Sequence, residues 1–378
     1  MLTDAPMLGI YVHLPFCPYL CPYCDFAKWP LRASGAGRYL GALHAEIARQ
    51  PRVPAATLFF GGGTPNAYDA ETIADLIERL RERFGDFREI SIEVNPELVR
   101  AGDFARYRRA GVTRLSIGVQ SFEPAEIETL GRKHTPEHID VAVAAARAAG
   151  LRSISLDLMF AVPGQTPASW RRSLTRAISL GVDHVSAYGL TVEEGTPYET
   201  WREREPGAFF DDIAEAEFYE IAIAALQSAG YEQYEISNFA RAGHRCAHNA
   251  NYWANGDYIG IGVGAASYRG GERRVHTRSL ESYIDAASAG LPIPFEAERL
   301  EGPKRAAEAI MLALRTTQGV GLHDFKERYG IDVVRHYAPV VSRFSQAGLL
   351  ERIGDRMRLT ERGRFVANDV CGAFVLFD

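Results

Sequence analysis

Long apolar runs are missing from this sequence of 378 residues. None reaches about 18 uninterrupted apolar residues, the length that a membrane-spanning helix requires. The N-terminal stretch also lacks positive charge, because Asp4 stands where a secretory signal peptide carries basic residues. We therefore expect a cytoplasmic protein whose contact with a membrane, if any, is peripheral.

An excess of basic residues is absent as well. The 42 Lys and Arg residues face 48 Asp and Glu residues, for a formal net charge of −6. This balance argues against a nucleic-acid-binding protein that works through a generally basic surface. The C-terminal segment 301–378 is nearly neutral, with 12 basic and 10 acidic side chains. We predict no nucleic acid among the partners.

Cysteine is scarce and unevenly distributed. The chain has five cysteines, and three of them, Cys17, Cys21 and Cys24, form a C-x3-C-x2-C loop. An odd count at low density is a poor disulfide framework, whereas the crowding suits a metal or redox site. Three thiolates on a cube of four irons leave one iron open for substrate chemistry. A zinc site with His13 or His44 as fourth ligand, or a set of inert buried thiols, remains the alternative at this point.

Glycine and proline are not enriched enough for a fibrous or disordered chain, and the length suits two or three folded domains. Strand-like runs alternate with helical patterns through residues 1–230. The predicted strands are 9–14, 57–60, 89–94, 114–119, 154–160 and 184–190. The predicted helices are 39–49, 70–84, 97–110, 136–149, 167–180 and 209–229. Six such units indicate an α/β fold, either a partial (β/α)6 barrel or a doubly wound sheet, with ligands at the C-terminal strand ends.

Two further regions follow this alternation. Residues 231–300 are rich in Gly, Asn, Tyr and His and break the rhythm, so we interpret them as a cap region. Residues 301–378 turn helical and close with two short runs around Gly354-Asp355. Helices followed by a small hairpin predict a helical, winged-helix-like C-terminal domain.

The cysteine loop and the motifs after it resemble the radical S-adenosylmethionine (SAM) superfamily. Within it they are similar to the branch that contains the oxygen-independent coproporphyrinogen III oxidases and the HemW-type haem chaperones. The motifs are FFGGGTP at 59–65, SIEVNP at 91–96, GVQSF at 118–122, LGRKH at 130–134 and DLMFAVPGQT at 157–166. The resemblance extends over nearly the whole chain and favours the partial (β/α)6 barrel.

The resemblance implies a [4Fe–4S] cluster held by the three loop cysteines, with SAM beside it. The residues that it assigns to SAM are Tyr11, Gly62, Gly63 and Thr64, the last three at the methionyl end, together with Glu93, Gln120, Arg132 and Asp157. Taken singly, such polar residues also serve as caps or ion pairs; Arg132, for example, lies one turn after Glu128.

A second motif, HNANYW at 248–253, is similar to the H-N-x-x-Y-W motif of the haem-binding members. It implies haem contacts by His248, Asn249, Tyr252 and Trp253, since imidazole ligates haem iron and aromatic rings offer flat apolar surface. The axial ligand stays open between His248, His244 and Cys246. These three alternate along the chain, so a second metal site is another alternative, and ordinary core packing is a third.

Two departures separate the branches. The oxidases carry a further cysteine two residues after the third, where this sequence has Phe26, and a longer extension before the loop, where only sixteen residues precede Cys17. Both favour a haem chaperone over a coproporphyrinogen III oxidase, which is the alternative. The chaperone interpretation implies haem as cargo, an apo-haemoprotein acceptor such as a membrane respiratory enzyme, and a one-electron donor such as a flavodoxin or ferredoxin. A simple electron carrier is disfavoured by the missing fourth cysteine.

Overall fold

A computed structural model describes residues 7–31 and 35–377; Asp4 lies outside the described residues. Its centre is a set of six parallel strands that pair in chain order. They are β1 (Gly9–Leu14), β2 (Thr57–Gly62), β3 (Glu89–Val94), β4 (Arg114–Gln120), β5 (Ser153–Phe160) and β6 (His184–Gly189). The predicted partial (β/α)6 barrel is confirmed, and its strand boundaries differ from the sequence pattern by at most two residues.

Helices alternate with these strands along the chain. They are α1 (Ala36–Arg49), α2 (Ala70–Phe84), α3 (Asp103–Ala110), α4 (Pro124–Thr129), α5 (Pro136–Ala148), α6 (Pro167–Ser179), α7 (Pro197–Arg204) and α8 (Asp212–Ser228), with 3-10 turns at Pro65–Ala67, Pro96–Leu98 and Pro206–Ala208. The helix predicted over 97–110 is wrong in its first half, because Gly102 adopts a left-handed φ of 86° and α3 starts only after it. Within the described chain, no helix has the length and apolar character needed to cross a lipid bilayer.

Residues 231–300 extend the barrel sheet at both edges. On one side, β7 (Glu232–Gln233) and β8 (Asn238–Ala240) add antiparallel strands next to β6. On the other side, β9 (Tyr258–Ile261) pairs parallel with β1 and leads into an antiparallel meander. The meander strands are β10 (Ala266–Arg269), β11 (Glu272–His276) and β12 (Phe295–Arg299), and the helices of this region are α9 (Ala247–Trp253) and α10 (Leu280–Ser288).

The C-terminal region has a hydrophobic core of its own, between Ala306 and Phe374. Its elements are α11 (Gly302–Leu314), β13 (Val320–Gly321), α12 (Leu322–Tyr329), α13 (Val333–His336), α14 (Ala338–Gln346), β14 (Leu350–Ile353), β15 (Arg356–Leu359), α15 (Glu361–Phe365) and α16 (Ala367–Val375). The hairpin of β14 and β15 takes β13 as a third strand. The predicted winged-helix-like character is confirmed.

The barrel interior is open to solvent along one ring of positions. Each of the six strands has at least one residue that keeps some exposure next to a buried neighbour. These residues include Tyr11, Phe59, Glu93, Gly118, Asp157 and Tyr188. Because side chains alternate across a strand, their neighbours, such as Val12 and Phe60, pack under the helices. Five of the six strands thus present a polar or aromatic side chain to a common central space, and β4 contributes Gly118.

Candidate functional site

The cysteine loop leaves the C-terminal end of β1 and is closed by a short ladder of its own. Phe16–Cys17 pairs with Trp29–Pro30, and the Leu31 backbone N–H donates to the Cys17 carbonyl oxygen at 2.7 Å. Cys17 is buried, Cys21 and Cys24 are half-buried, and all three are free thiols. The ladder holds both ends of the loop, so the three thiols stay at the barrel mouth.

The three thiols influence one another electrostatically. The pKa of Cys17 is raised to about 11, mainly by burial and also by the neighbouring Cys24 and Cys21, against the lowering effect of a hydrogen bond with Thr64. A bound metal centre stabilises such buried groups as thiolates. The donor set therefore fits a cluster with three protein ligands.

Neither remaining cysteine supplies a fourth thiolate in the described structure. Cys246 lies 3.6 Å from Glu89 Oε1, and Cys371 is buried in the C-terminal core. The histidines considered for a zinc site are engaged elsewhere. His13 shares hydrogen bonds with Tyr11 and with the Ala27 carbonyl oxygen, and His44 pairs with Asp75. Three-thiolate ligation with one open position is the arrangement that the loop supports.

The glycine segment at the end of β2, Gly61 to Gly63, packs against this loop. Gly62 has a φ of 106°, and a Cβ atom there would lie 2.3 Å from His13 Nδ1. A Cβ atom on Gly63 would lie 2.6 Å from the Pro15 carbonyl carbon. The Gly63 backbone N–H also donates to the Leu14 carbonyl oxygen at 2.9 Å. Only glycine allows this approach, which brings the predicted methionyl-binding segment next to the cluster cysteines.

Two carboxyl groups lie inside the barrel, Glu93 on β3 and Asp157 on β5. Asp157 accepts hydrogen bonds from the hydroxyls of Ser116 (2.8 Å), Ser155 (3.2 Å) and Ser186 (2.7 Å). Glu93 accepts one from the Gly62 backbone N–H at 3.3 Å. Burial and the nearby Asp157 raise the pKa of Glu93 to about 8. An acidic pair of this kind suits a ligand that carries positive charge, as the sulfonium and ammonium groups of SAM do.

Gln120 ends β4, the strand between those that carry Glu93 and Asp157, and Arg132 contacts the same strand. A bulge between Gly118 and Gln120 interrupts the pairing of β4 with β5, and Gln120 has a φ of 61°. Arg132 donates to the Gly118 carbonyl oxygen at 2.7 Å and to Asn95 Oδ1 at 2.9 Å. Its other terminal nitrogen lies 3.9 Å from Cys21 Sγ. Arg132 thus connects the cysteine loop, which we also call the cluster loop, to the barrel wall. Its contacts are these and not the ion pair with Glu128 that the sequence offered as the simpler alternative.

His248, at the start of the second motif, is a buried histidine with both ring nitrogens occupied. Nδ1 shares a hydrogen bond of 2.8 Å with Thr57 Oγ1, and Nε2 shares one of 2.8 Å with the Tyr252 hydroxyl. The ring also packs on Phe59, with centroids 5.2 Å apart. Burial lowers the pKa of His248 to about 3. In this arrangement the imidazole is neutral and has no nitrogen free to ligate iron.

The other motif residues face different surroundings. The Arg315 guanidinium lies over the Trp253 ring, with its carbon atom 5.1 Å from the ring centroid. Trp253 therefore contacts the C-terminal domain. Asn249 is half-buried on the same side of α9. His244 lies 4.0 Å from Asp183, and Cys246 is directed at Glu89. Within the described residues, His244, Cys246 and His248 therefore have separate partners and do not form a joint metal site.

Tyr252 reaches a cavity of about 460 Å³ between β1, the cluster loop, the meander and α11. We call it the aromatic pocket. Its aromatic and charged lining residues are Tyr11, His13, Phe26, Tyr252, Tyr258, Tyr268, Arg273 and Arg278, and both ring nitrogens of His13 are hydrogen-bonded, to Tyr11 and to the Ala27 carbonyl oxygen. The sequence reasoning missed Tyr258 and Tyr268, which pair across β9 and β10 with rings stacked at 6.2 Å. Two tyrosines that flank a glycine-rich turn are the signal that could have predicted them.

The partial barrel and the three-thiol loop define the class of protein. A radical SAM superfamily model matches residues 11–177, and a HemN C-terminal domain model matches residues 300–366. The solved structure of coproporphyrinogen III oxidase (HemN) from Escherichia coli, a radical SAM enzyme, is similar in fold. Its TM-score is 0.84 at 24% identity, and the match covers 100% of this chain and 92% of that chain. The protein is a radical SAM protein, a class that implies a [4Fe–4S] cluster and SAM as cofactors.

Curated relatives give the particular family. The chain is 36% identical to the haem chaperone HemW of Bacillus subtilis over 377 residues, which covers 98% of this chain and 99% of that protein. It is 34% identical to HemW of Escherichia coli over 389 residues, with 99% and 100% covered. This chain belongs to the HemW family of haem chaperones.

We expect SAM binding to release close to one proton from Glu93 at pH 7. The carboxyl of the ligand-free protein, with its pKa raised to about 8, is mostly protonated at that pH, and a cationic ligand favours the carboxylate and lowers its pKa. SAM affinity should therefore increase as the pH rises toward 8 and level off above it. Isothermal titration calorimetry in buffers of different ionisation enthalpy measures the release. Glu93→Gln should lose this proton release, and equal release from both proteins would contradict the prediction.

Proposed function

We propose that this protein is a haem chaperone that binds a [4Fe–4S] cluster, SAM and haem and delivers haem to acceptor proteins. The chain is similar, over nearly the whole length of both partners, to proteins named haem chaperone. The observation that carries the proposal is the aromatic pocket, which adjoins the cluster loop through Phe26 and the second motif through Tyr252. The flat aromatic surface suits a planar ligand, and the two arginines in the pocket wall suit carboxylate substituents on that ligand.

Each part of the site has a role in this function. Cys17, Cys21 and Cys24 would hold the cluster, and the glycine segment with Glu93 and Asp157 would bind and orient SAM beside it. Reduction of SAM by the cluster is the chemistry that these cofactors supply when bound. Tyr11, Thr64, Gln120 and Arg132 would complete the SAM site. The residues proposed to contact haem are Asn249, Tyr252 and Trp253, with His248 next to them. We also propose that the chain divides into residues 1–230, 231–300 and 301–378.

The partners follow from this function. The acceptor would be an apo-haemoprotein, such as a respiratory haem enzyme in a membrane, which would place the chaperone at the membrane surface during transfer. Cluster reduction would need a one-electron donor such as a flavodoxin or ferredoxin. Oxygen-independent oxidation of coproporphyrinogen III is the alternative function, and the likeness of fold to HemN supports it.

The test of the proposed function is haem transfer. The anaerobically reconstituted protein, loaded with one equivalent of haem, is mixed with an excess of an apo-haemoprotein, and the acceptor spectrum is followed with time. We expect a Soret shift on loading, and a transfer that requires contact between the proteins. A dialysis membrane between donor and acceptor serves as control. Failure of the wild-type protein to bind haem, or equal transfer across the membrane, would refute the chaperone function.

A further inference from the structure

We propose that Tyr252 is the residue that ligates haem iron, in the aromatic pocket, and that His248 is a positioning residue behind it. The inference rests on the proposed haem-carrying function. It concerns which side chain of the second motif can reach the cargo, and it assigns the cargo to one cavity.

The first step is the position of His248. Its side chain is 1% exposed and lies between Thr57, Phe59 and Tyr252. His248 is not part of the pocket lining. To reach a ligand in the pocket, this imidazole would have to leave the core and break its hydrogen bonds with Thr57 and Tyr252.

The second step is the position of Tyr252. It lies one helical turn after His248, keeps partial exposure, and contributes its ring to the pocket wall. Its hydroxyl is held at 2.8 Å from His248 Nε2, and its ring packs edge-on against Tyr258 at 4.7 Å. The phenol is therefore oriented by two neighbours before any ligand arrives, and phenolate oxygen is an established type of haem ligand.

Coordination of iron by Tyr252 releases one proton. A bond forms between ferric iron and the Tyr252 oxygen, and the phenolic proton is released to solvent at the pocket mouth. His248 stays neutral: its Nε2–H then donates to the phenolate oxygen, while the Thr57 hydroxyl donates to Nδ1. A hydrogen bond from a neighbouring ring holds the ligand oxygen in place and adjusts its basicity, as a second layer of groups does at metal sites in general.

The third step concerns the two arginines of the pocket. Arg273 is paired with Glu298 at 3.0 Å and also with Glu308. Arg278 is exposed and donates to the Asp25 carbonyl oxygen at 2.5 Å, and it has no carboxylate partner within the part of the chain that the structure describes. A haem propionate would provide the charged acceptor that Arg278 lacks.

Tyrosine-to-phenylalanine variants test the ligand assignment. Full-length, cluster-reconstituted protein is titrated with ferric haem and studied by EPR and by resonance Raman spectroscopy. We expect iron–phenolate vibrations in the wild type. Tyr252→Phe should lose them and bind haem about tenfold or more weakly. Tyr258→Phe, a matched change in the same pocket, should keep them, because the Tyr258 hydroxyl contacts Arg273. His248→Ala should keep iron–phenolate vibrations at shifted frequencies.

The contrary outcomes are distinct. If Tyr252→Phe retains the wild-type spectra, or if His248→Ala alone removes the axial ligand, the Tyr252 assignment is wrong although the protein still binds haem. If the wild type binds no haem, the proposed function fails together with this inference. Loss of the phenolate signature in Tyr258→Phe or Tyr268→Phe, with Tyr252→Phe unaffected, would also overturn the assignment.

A second variant pair tests the pocket itself. Arg278→Gln should weaken haem binding about tenfold, by removing one charge-assisted hydrogen bond, and leave the axial-ligand spectrum unchanged. Arg269→Gln, on the exposed end of β10 and outside the pocket, should bind haem as the wild type does. Equal affinities for both variants would place the propionates, and so the haem, elsewhere.

Discussion

Replacement of Cys17, Cys21 and Cys24 by alanine together is expected to remove essentially all cluster iron while the protein stays folded. The wild type should hold about four irons per chain after anaerobic reconstitution, and the triple variant should hold close to none. The reason is that the other two thiols, Cys246 and Cys371, lie in separate buried surroundings and cannot replace the lost ligands. Iron analysis and the visible absorbance of the cluster measure the effect.

The fold should survive because the thiols lie in a loop at the barrel mouth. The barrel core is built from strand residues such as Ile10, Leu58 and Ile117, none of which the variant changes. We expect the free energy of unfolding to fall by only about 1 kcal/mol, in the range of ordinary substitutions, as measured by circular dichroism during denaturation. Cys371→Ala is the matched control and should keep its iron. Retention of about four irons by the triple variant would show that the cluster has other ligands.

Coproporphyrinogen III should not be converted to protoporphyrinogen IX by this protein. Oxidative decarboxylation requires a radical to form within contact of one propionate carbon, and a displacement of about 1 Å can cost about 100-fold in rate. The oxidases carry a cysteine at the position of Phe26, which here is 57% exposed and forms part of the wall of the aromatic pocket. This bulky ring changes the space next to the cluster loop where a substrate would have to lie.

The measurement is an anaerobic incubation with a chemical reductant, SAM and coproporphyrinogen III, followed by chromatographic separation of the porphyrins. The same preparation must contain a full cluster and bind SAM, because an empty site would also give no product. Multiple-turnover formation of protoporphyrinogen IX would refute the prediction and favour the oxidase as the function. A HemN-type oxidase assayed in parallel controls for substrate quality.

Patterns that are local in the chain could be predicted well. The six barrel strands follow from short apolar runs, and glycine ends the helices at Gly111, Gly150, Gly181 and Gly230, each with the left-handed φ that a helix stop uses. The helix predicted over 97–110 failed because one glycine inside the run, Gly102, takes the same conformation. Composition alone does not tell which glycine ends a helix and which one delays its start.

Contacts between distant segments could not be predicted. β9 pairs parallel with β1 across more than 240 residues, and nothing in either segment specifies that partner. The aromatic pocket depends on this pairing, because it brings Tyr258 and Tyr268 to the side of Tyr11. A parallel pairing is decided by the packing of whole layers, which a single apolar run does not encode.

The sequence by itself determined the barrel units, the three-thiol loop and the glycine segment. Each of these depends on residues close together in the chain, where spacing and backbone conformation are sufficient. Only the tertiary structure decided the environment of the second motif. His248 and Tyr252 share one face of α9, and either could have met the pocket. The hydroxyl of Thr57 and the ring of Phe59, both on β2, bury the histidine and leave the tyrosine at the cavity wall, because a buried polar ring must find hydrogen-bond partners and here finds them in the core.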